Sequence, residues 1–135
     1  MTSDTARVLF ALSALSGAVS VAAGAFGAHA LDGAVSPDRL NTWRTAAAYG
    51  LAHAVPALLA SWMAARLASR PALWASGLFL AGTLVFSGSL YALVLLDAAW
   101  LGAVTPLGGV AFIAGWLALG RAGWKGIGSP DARSA

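Results

Sequence analysis

The chain has 135 residues, of which 59% are hydrophobic and 10% charged, against about 45–50% and about 25% in an ordinary soluble domain. A mean hydropathy of +0.78 with 16 glycines excludes both a disordered polar chain and a normal water-soluble globule, which needs more polar residues to clothe its surface. The absence of cysteine excludes disulfides, thiol redox chemistry, thiolate zinc sites and c-type haem attachment. What remains is a small single-domain membrane protein.

Charged residues cut the chain into four uncharged windows, 8–31, 45–65, 71–96 and 98–120, of 24, 21, 26 and 23 residues. At about 1.5 Å per residue, each as a helix covers or exceeds the roughly 30 Å hydrocarbon core, and a helix satisfies its own backbone there. None shows the polar face of a helix from a soluble bundle. The expected fold is therefore all-α, a polytopic four-transmembrane-helix bundle occupying residues 1–122, followed by a disordered cytoplasmic tail at 123–135.

In the first window Ser13, Gly17, Ser20, Gly24 and Gly27 recur at steps of four and three. They form a small-residue stripe for close helix approach, which is how helices associate where lipid is as apolar as leucine. Arg7 ahead of this run, with Ala28-His29-Ala30 closing it, resembles a cleavable signal peptide. The run is longer than the roughly 7–15 residues of a signal core, and its removal would leave an odd number of spans.

Ser36-Pro37-Asp38 reads as a helix start, with Ser as N-cap, Pro at the first helical position and a carboxylate against the positive helix end. Helix two then opens with an interfacial lead-in, Asp38 to Arg44, carrying Leu40 and Trp43. Deeper in the second window Tyr49 and His53 share a face, one turn apart. Pro56 leaves the Ala52 carbonyl without its usual donor, an acceptor that the histidine or a water can satisfy. The third window places Ser76, Thr83, Ser87 and Tyr91 on one face, expected to look inward.

Thr105-Pro106 repeats the helix-start signal for the fourth span; the alternative is a kink at Pro106 within a helix beginning near Ala98. The fourth span carries a second small-residue set, Gly102, Gly108, Gly109 and Gly115. Leu31-Asp32 before Gly33-Ala34-Val35-Ser36-Pro37 parallels Leu96-Asp97 before Gly102-Ala103-Val104-Thr105-Pro106. This suggests a parallel 2+2 repeat of helix hairpins about an axis along the membrane normal, although coincidence in a chain so rich in Gly, Ala and Val explains it as well.

With both termini in the cytoplasm, Arg7, Arg66, Arg70, Arg121, Lys125 and Arg133 lie inside, while Arg39 and Arg44 lie outside. The excess of basic residues inside gives an N-in, C-in topology. Trp43 and Trp100 fall near the outer boundary and Trp62, Trp74 and Trp124 near the inner one, as interface anchors do, with Trp116 deeper. Loop charges account for the net charge of +3. The clustered basic face of a nucleic-acid binder is missing.

No carboxylate or basic side chain lies inside any window apart from the histidines, and HExxH, GxSxG, P-loop and GxGxxG patterns are absent. Proton-relay transporters, intramembrane metalloproteases and carboxylate-based hydrolases need such groups, so the chain is not expected to be an enzyme, and no cofactor or metal is expected. Two sets of residues are candidates for binding. Tyr49, His53, Ser87, Ser89 and Tyr91 make a polar intramembrane site, or alternatively ties between helices; His29, Asp32 and Asp97 make an outer-face cluster, or alternatively solvated interfacial charge.

The motifs Gly24-Ala25-Phe26-Gly27-Ala28-His29-Ala30-Leu31, Tyr49 with His53-Ala54, Phe86-Ser87-Gly88-Ser89-Leu90-Tyr91, Thr105-Pro106-Leu107-Gly108-Gly109 and Gly115-Trp116 resemble, in order, the small bacterial inner-membrane proteins of the domain of unknown function 423 family. Eukaryotic transmembrane protein 256 is a relative of that family. The resemblance covers about Leu9 to Leu119 and implies a four-span membrane protein without an assigned reaction. Together the residues and the resemblance suggest a non-catalytic structural, assembly or interaction component of the cytoplasmic (inner) membrane. Its partners would be the lipid bilayer, other membrane proteins or a second copy of itself. The alternative is small-molecule or ion binding or permeation through an oligomer, at the polar site around His53.

Overall fold

The computed structural model describes residues 2–127. Helix α1 spans Thr2–Phe26 and passes into a π-helical turn at Gly27–Leu31; α2 spans Pro37–Leu67, α3 spans Arg70–Leu96, a 3-10 turn occupies Ala99–Ala103, and α4 spans Thr105–Ile127. No strand occurs among these residues. Four helical stretches are long and apolar enough to cross a membrane, Asp4–Leu31, Pro37–Leu67, Arg70–Leu96 and Ala99–Ile127, so the all-α four-span architecture is the one observed.

The helix starts follow their local chemistry. The Ser36 hydroxyl accepts from the Arg39 amide at 3.4 Å with Pro37 in the first turn, and Ser69, followed by Pro71, accepts from the Ala72 amide in the same way. The second of these is as plain in the sequence as the first. Both α2 and α3 end on a residue in the left-handed region, Ala68 at φ 47° and Asp97 at φ 55°. The helix from Ala98 kinked at Pro106 does not form: Ala99–Ala103 is a separate 3-10 turn and α4 begins at Thr105. At its other end α4 continues past Gly120 through Trp124 and Lys125 to Ile127, so residues 123–127 expected in a tail are helical. The rest of that expected tail, 128–135, lies outside the described residues.

Most buried side chains are small, with Phe79, Phe112 and Trp43 the large exceptions, and many large ones lie outside, unlike a soluble bundle. Ala46, Ala57, Ala60, Ala72 and Ala75 are essentially fully buried, whereas Leu84, Leu107, Val110, Ile113 and Leu117 stand more than half exposed. In a bilayer this is the favourable arrangement, because burying leucine among helices gains little over leaving it in lipid, while small residues let backbones meet. Ala6, Ala64, Ala72 and Ala122 bring all four helices together at the end where α1 begins and α4 finishes. Leu31, Leu40, Trp43 and Val94 close the opposite end.

Helices α2 and α3 form the centre, with α1 packed on α2 and α4 packed on α3. Among the described residues α1 and α4 scarcely meet. A two-fold axis along the membrane normal would carry the α2–α3 contact onto an equal α4–α1 contact. The two hairpins turn at the same end, but they do not pack as the symmetric pair that the matching loop sequences suggested.

Glycine sets the helix spacing on both sides. A Cβ at Gly17 of α1 would lie 3.4 Å from the Ala54 Cβ, and one at Gly27 of the π-helical turn would lie 2.6 Å from Trp43 Cδ1. The α3–α4 seam is a reciprocal set of phenylalanines laid over glycines: Phe79 over Gly115, Phe112 over Gly82, and the Phe86 backbone over Gly108. Gly109 differs from the expected stripe, since nothing lies within 4 Å of where its Cβ would be.

Candidate functional site

The five residues expected to share one polar face are distributed over three places. Position 89 lies about 200° around α3 from position 87, whereas 91 lies one turn above 87 on the same side. Ser87 accordingly faces α2 and donates to the Ala46 carbonyl at 2.7 Å. Tyr91 packs against Trp43, ring centroids 4.4 Å apart and planes tilted by 49°. Ser89 turns to α4, bonding the Thr105 hydroxyl at 2.8 Å and the Phe86 carbonyl at 3.0 Å. The Thr105 hydroxyl thus serves as a tie between helices.

Ser87 and Tyr91 also border a groove of about 400 Å³ between α1 and α3, whose other walls include Leu15, Ser16, Val19 and Thr83. The groove is mainly apolar. Thr83 and Ser76, the remaining members of the expected hydroxyl face, behave differently from each other: Thr83 lines the groove, while Ser76 is fully buried with its hydroxyl unpartnered.

Tyr49 and His53 stay together on α2, inside a cluster of rings from three helices. The His53 imidazole lies face to face with Phe112, centroids 3.6 Å apart and planes 8° from parallel. Phe79 and Tyr49 each stand 5.8 Å from it, and Trp116 approaches edge-on at 6.3 Å. Tyr49 in turn stacks on Phe86 at 4.6 Å. Polar residues alone do not reveal this cluster. Its trace in the sequence is the placement of Phe79 two turns before Phe86 and of Phe112 one turn before Trp116.

His53 Nδ1 lies 2.8 Å from the Tyr49 carbonyl oxygen. The ring therefore does not serve the Ala52 carbonyl that Pro56 frees; it bonds one turn back instead. A carbonyl oxygen only accepts, so Nδ1 carries the hydrogen and Nε2 is left as the free nitrogen. No Asp or Glu lies between Arg44 and Arg66, the stretch of α2 that carries His53.

The outer-face cluster does not assemble. Asp97, swung outward by its left-handed backbone, forms an ion pair with Arg39 at the start of α2. His29 sits in the π-helical turn and Asp32 just beyond it, both exposed. Among the described residues no three His, Asp or Glu side chains come together to hold a metal.

Trp43 is also placed differently from an interface anchor. It is buried, and its indole nitrogen donates to the Ala23 carbonyl of α1 at 2.7 Å, one turn before the π-helical segment. Trp62, Trp74, Trp100 and Trp124 are exposed, as anchors are.

Fold and site together define a small polytopic membrane protein whose helices are joined by glycine, alanine and serine contacts around one aromatic-caged histidine. The chain belongs to the family described as Protein of unknown function (DUF423), whose model matches residues 23–109. It is 42% identical over 113 residues to the UPF0382 membrane protein SAB0533 of Staphylococcus aureus, covering 84% of this chain and 92% of that one. It is 39% identical to the UPF0382 membrane protein YwdK of Bacillus subtilis, covering 82% and 91%. A third relative, the UPF0382 membrane protein SH2409 of Staphylococcus haemolyticus, is 39% identical over 122 residues, 90% of this chain and 99% of the relative. No solved structure shows a significant match. The membrane setting and the family expected from the sequence are thus both found.

Proposed function

We propose that this protein is a non-catalytic component of the cytoplasmic membrane, with both termini in the cytoplasm, that acts by binding other membrane proteins through its helix faces. The observation that carries the reading is the use made of polar side chains inside the helices. Ser13 and Ser20 donate to carbonyls one turn back in α1, Ser61 donates to Ala57, Ser87 ties α3 to α2, and Ser89 ties α3 to α4. Ser87 and Ser89 are thus spent on ties between helices and the other three on their own helix backbones, which leaves broad leucine, valine and isoleucine surfaces for contact.

The orientation is supported by charge. Arg7, Arg66, Arg70, Arg121 and Lys125 lie at the end where α1 begins and α4 finishes, while the other end carries Arg39, paired with Asp97, and Arg44. The basic end is the cytoplasmic one.

The experiment is reciprocal isolation after gentle extraction. One membrane protein recovered in stoichiometric yield, which itself brings down this chain when it carries the tag, is the expected result. Recovery of the chain alone from several mild detergents overturns the reading. A second reading, small-molecule binding, is favoured by one specific observation, the open nitrogen of His53.

A further inference from the structure

We propose that the free edge of His53 binds a membrane-soluble aromatic hydroxyl compound, of the phenol or hydroquinone class, which enters from the bilayer between Tyr49 and Trp116. The inference deepens the small-molecule reading and is independent of the assembly role, so either can fail alone.

His53 is 9% exposed and one face of its ring is covered by Phe112. Its Nδ1 hydrogen is committed to the Tyr49 carbonyl. Nε2 has no partner, yet among the described residues it is not one of the unpartnered polar side-chain atoms sealed from the surface, which are Ser76 Oγ and Tyr91 Oη. A bare acceptor facing hydrocarbon costs free energy until a donor reaches it. An intramembrane ionisable residue is by default a functional-site hypothesis, and here the unpartnered position is the place for a ligand.

The surroundings select the donor. Tyr49 and Trp116, each about half exposed, flank the imidazole and present aromatic surface to the bilayer. A flat ring gains stacking or edge contacts with both, which an aliphatic alcohol does not. A metal ion would find a single nitrogen and no carboxylate. A quinone carries carbonyl oxygens, which are acceptors set against an acceptor, whereas the corresponding hydroquinone carries two hydroxyl donors. The site therefore favours the hydroxyl-bearing form of such a pair.

The test uses the full chain in lipid nanodiscs, labelled with nitrogen-15 at histidine. The first probes are 4-butylphenol and its methyl ether, which share shape but not the donor; a decyl-substituted hydroquinone and its quinone follow. The chain has two histidines, so exposed His29 reports non-specific effects. The phenol is expected to shift the His53 Nε2 resonance saturably, leave His29 unmoved, and bind about tenfold more tightly than the ether, one desolvated hydrogen bond's worth. The hydroquinone should exceed the quinone by a similar factor. His53→Phe, which keeps a ring stacked on Phe112 but has no nitrogen, should bind phenol and ether alike. Equal affinities within each probe pair on the unmodified chain overturn the proposal even if that variant does not fold, as does an unshifted Nε2 resonance. So does a folded His53→Phe that still prefers the phenol.

Discussion

Gly108 of α4 lies directly against the backbone of Phe86 in α3: a Cβ at position 108 would sit 2.5 Å from the Phe86 nitrogen and 2.8 Å from its Cα. Backbone cannot rotate out of the way as a flexible side chain can. Gly108→Ala should therefore force the two helices apart and cost about 1–3 kcal/mol, the usual range for overpacking. The neighbouring Gly109→Ala points into open space and should change stability by less than about 0.5 kcal/mol. Reversible unfolding in mixed micelles measures both; equal losses would show that the seam does not depend on this contact.

Trp43 and Gly27 should behave as one unit. Trp43→Phe retains a ring at the closed end of the bundle but loses the donor to the Ala23 carbonyl, with an expected loss of about 0.6 and at most about 1.7 kcal/mol, the mean and the maximum for hydrogen bonds between membrane helices. Gly27→Ala places its methyl on the indole itself. The smaller phenyl ring relieves that overlap, so the double variant should lose less than the sum of the single ones.

The left-handed positions at the ends of α2 and α3 give predictions of opposite sign. Ala68 has φ 47° with no side-chain compensation, and the left-handed region costs a Cβ-bearing residue about 1–2 kcal/mol. Ala68→Gly should stabilise the protein by about 0.5–1 kcal/mol, after allowance for the greater freedom of glycine in the unfolded chain.

At Asp97, Asn tolerates the same backbone while removing the charge that faces Arg39. Asp97→Asn should cost at most about 1 kcal/mol, because the pair is solvent-accessible, and should abolish the salt dependence that the pair contributes. Asp97→Ala should cost more than Asp97→Asn, since it loses the backbone preference as well. Unfolding at low and high salt separates the two effects.

The proposed orientation can be read with thiol chemistry, because the chain has no cysteine of its own. Ser36→Cys, in the loop before α2, should react with an impermeant maleimide in intact cells. Lys125→Cys, near the end of α4, should react only after the membrane is opened. The opposite pattern would invert the assignment of the two ends.

Much of the fold was legible in the sequence because the bilayer imposes simple demands. Runs of more than 20 uncharged residues are long enough to cross it, a serine or threonine with a proline just after it starts a helix, and regularly spaced small residues such as Ser13, Gly17 and Ser20 face a neighbour. The site was less legible. Ser87 and Ser89 look equivalent in a string of letters, but a helix sends them to different partners. His53 was found for its ionisable ring, whereas its cage of Phe79, Phe112 and Trp116 was not, because those rings read as ordinary lipid-facing residues until α3 and α4 are packed together.

The sequence by itself determined where this protein resides and how many times it crosses, since transfer of apolar residues and backbone into lipid is a property of each segment taken alone. Tertiary structure decided which helices touch, that Asp97 answers Arg39 rather than His29, and that one nitrogen of His53 is used while the other is open. Those outcomes depend on distances between residues far apart in the chain, and only packing sets them.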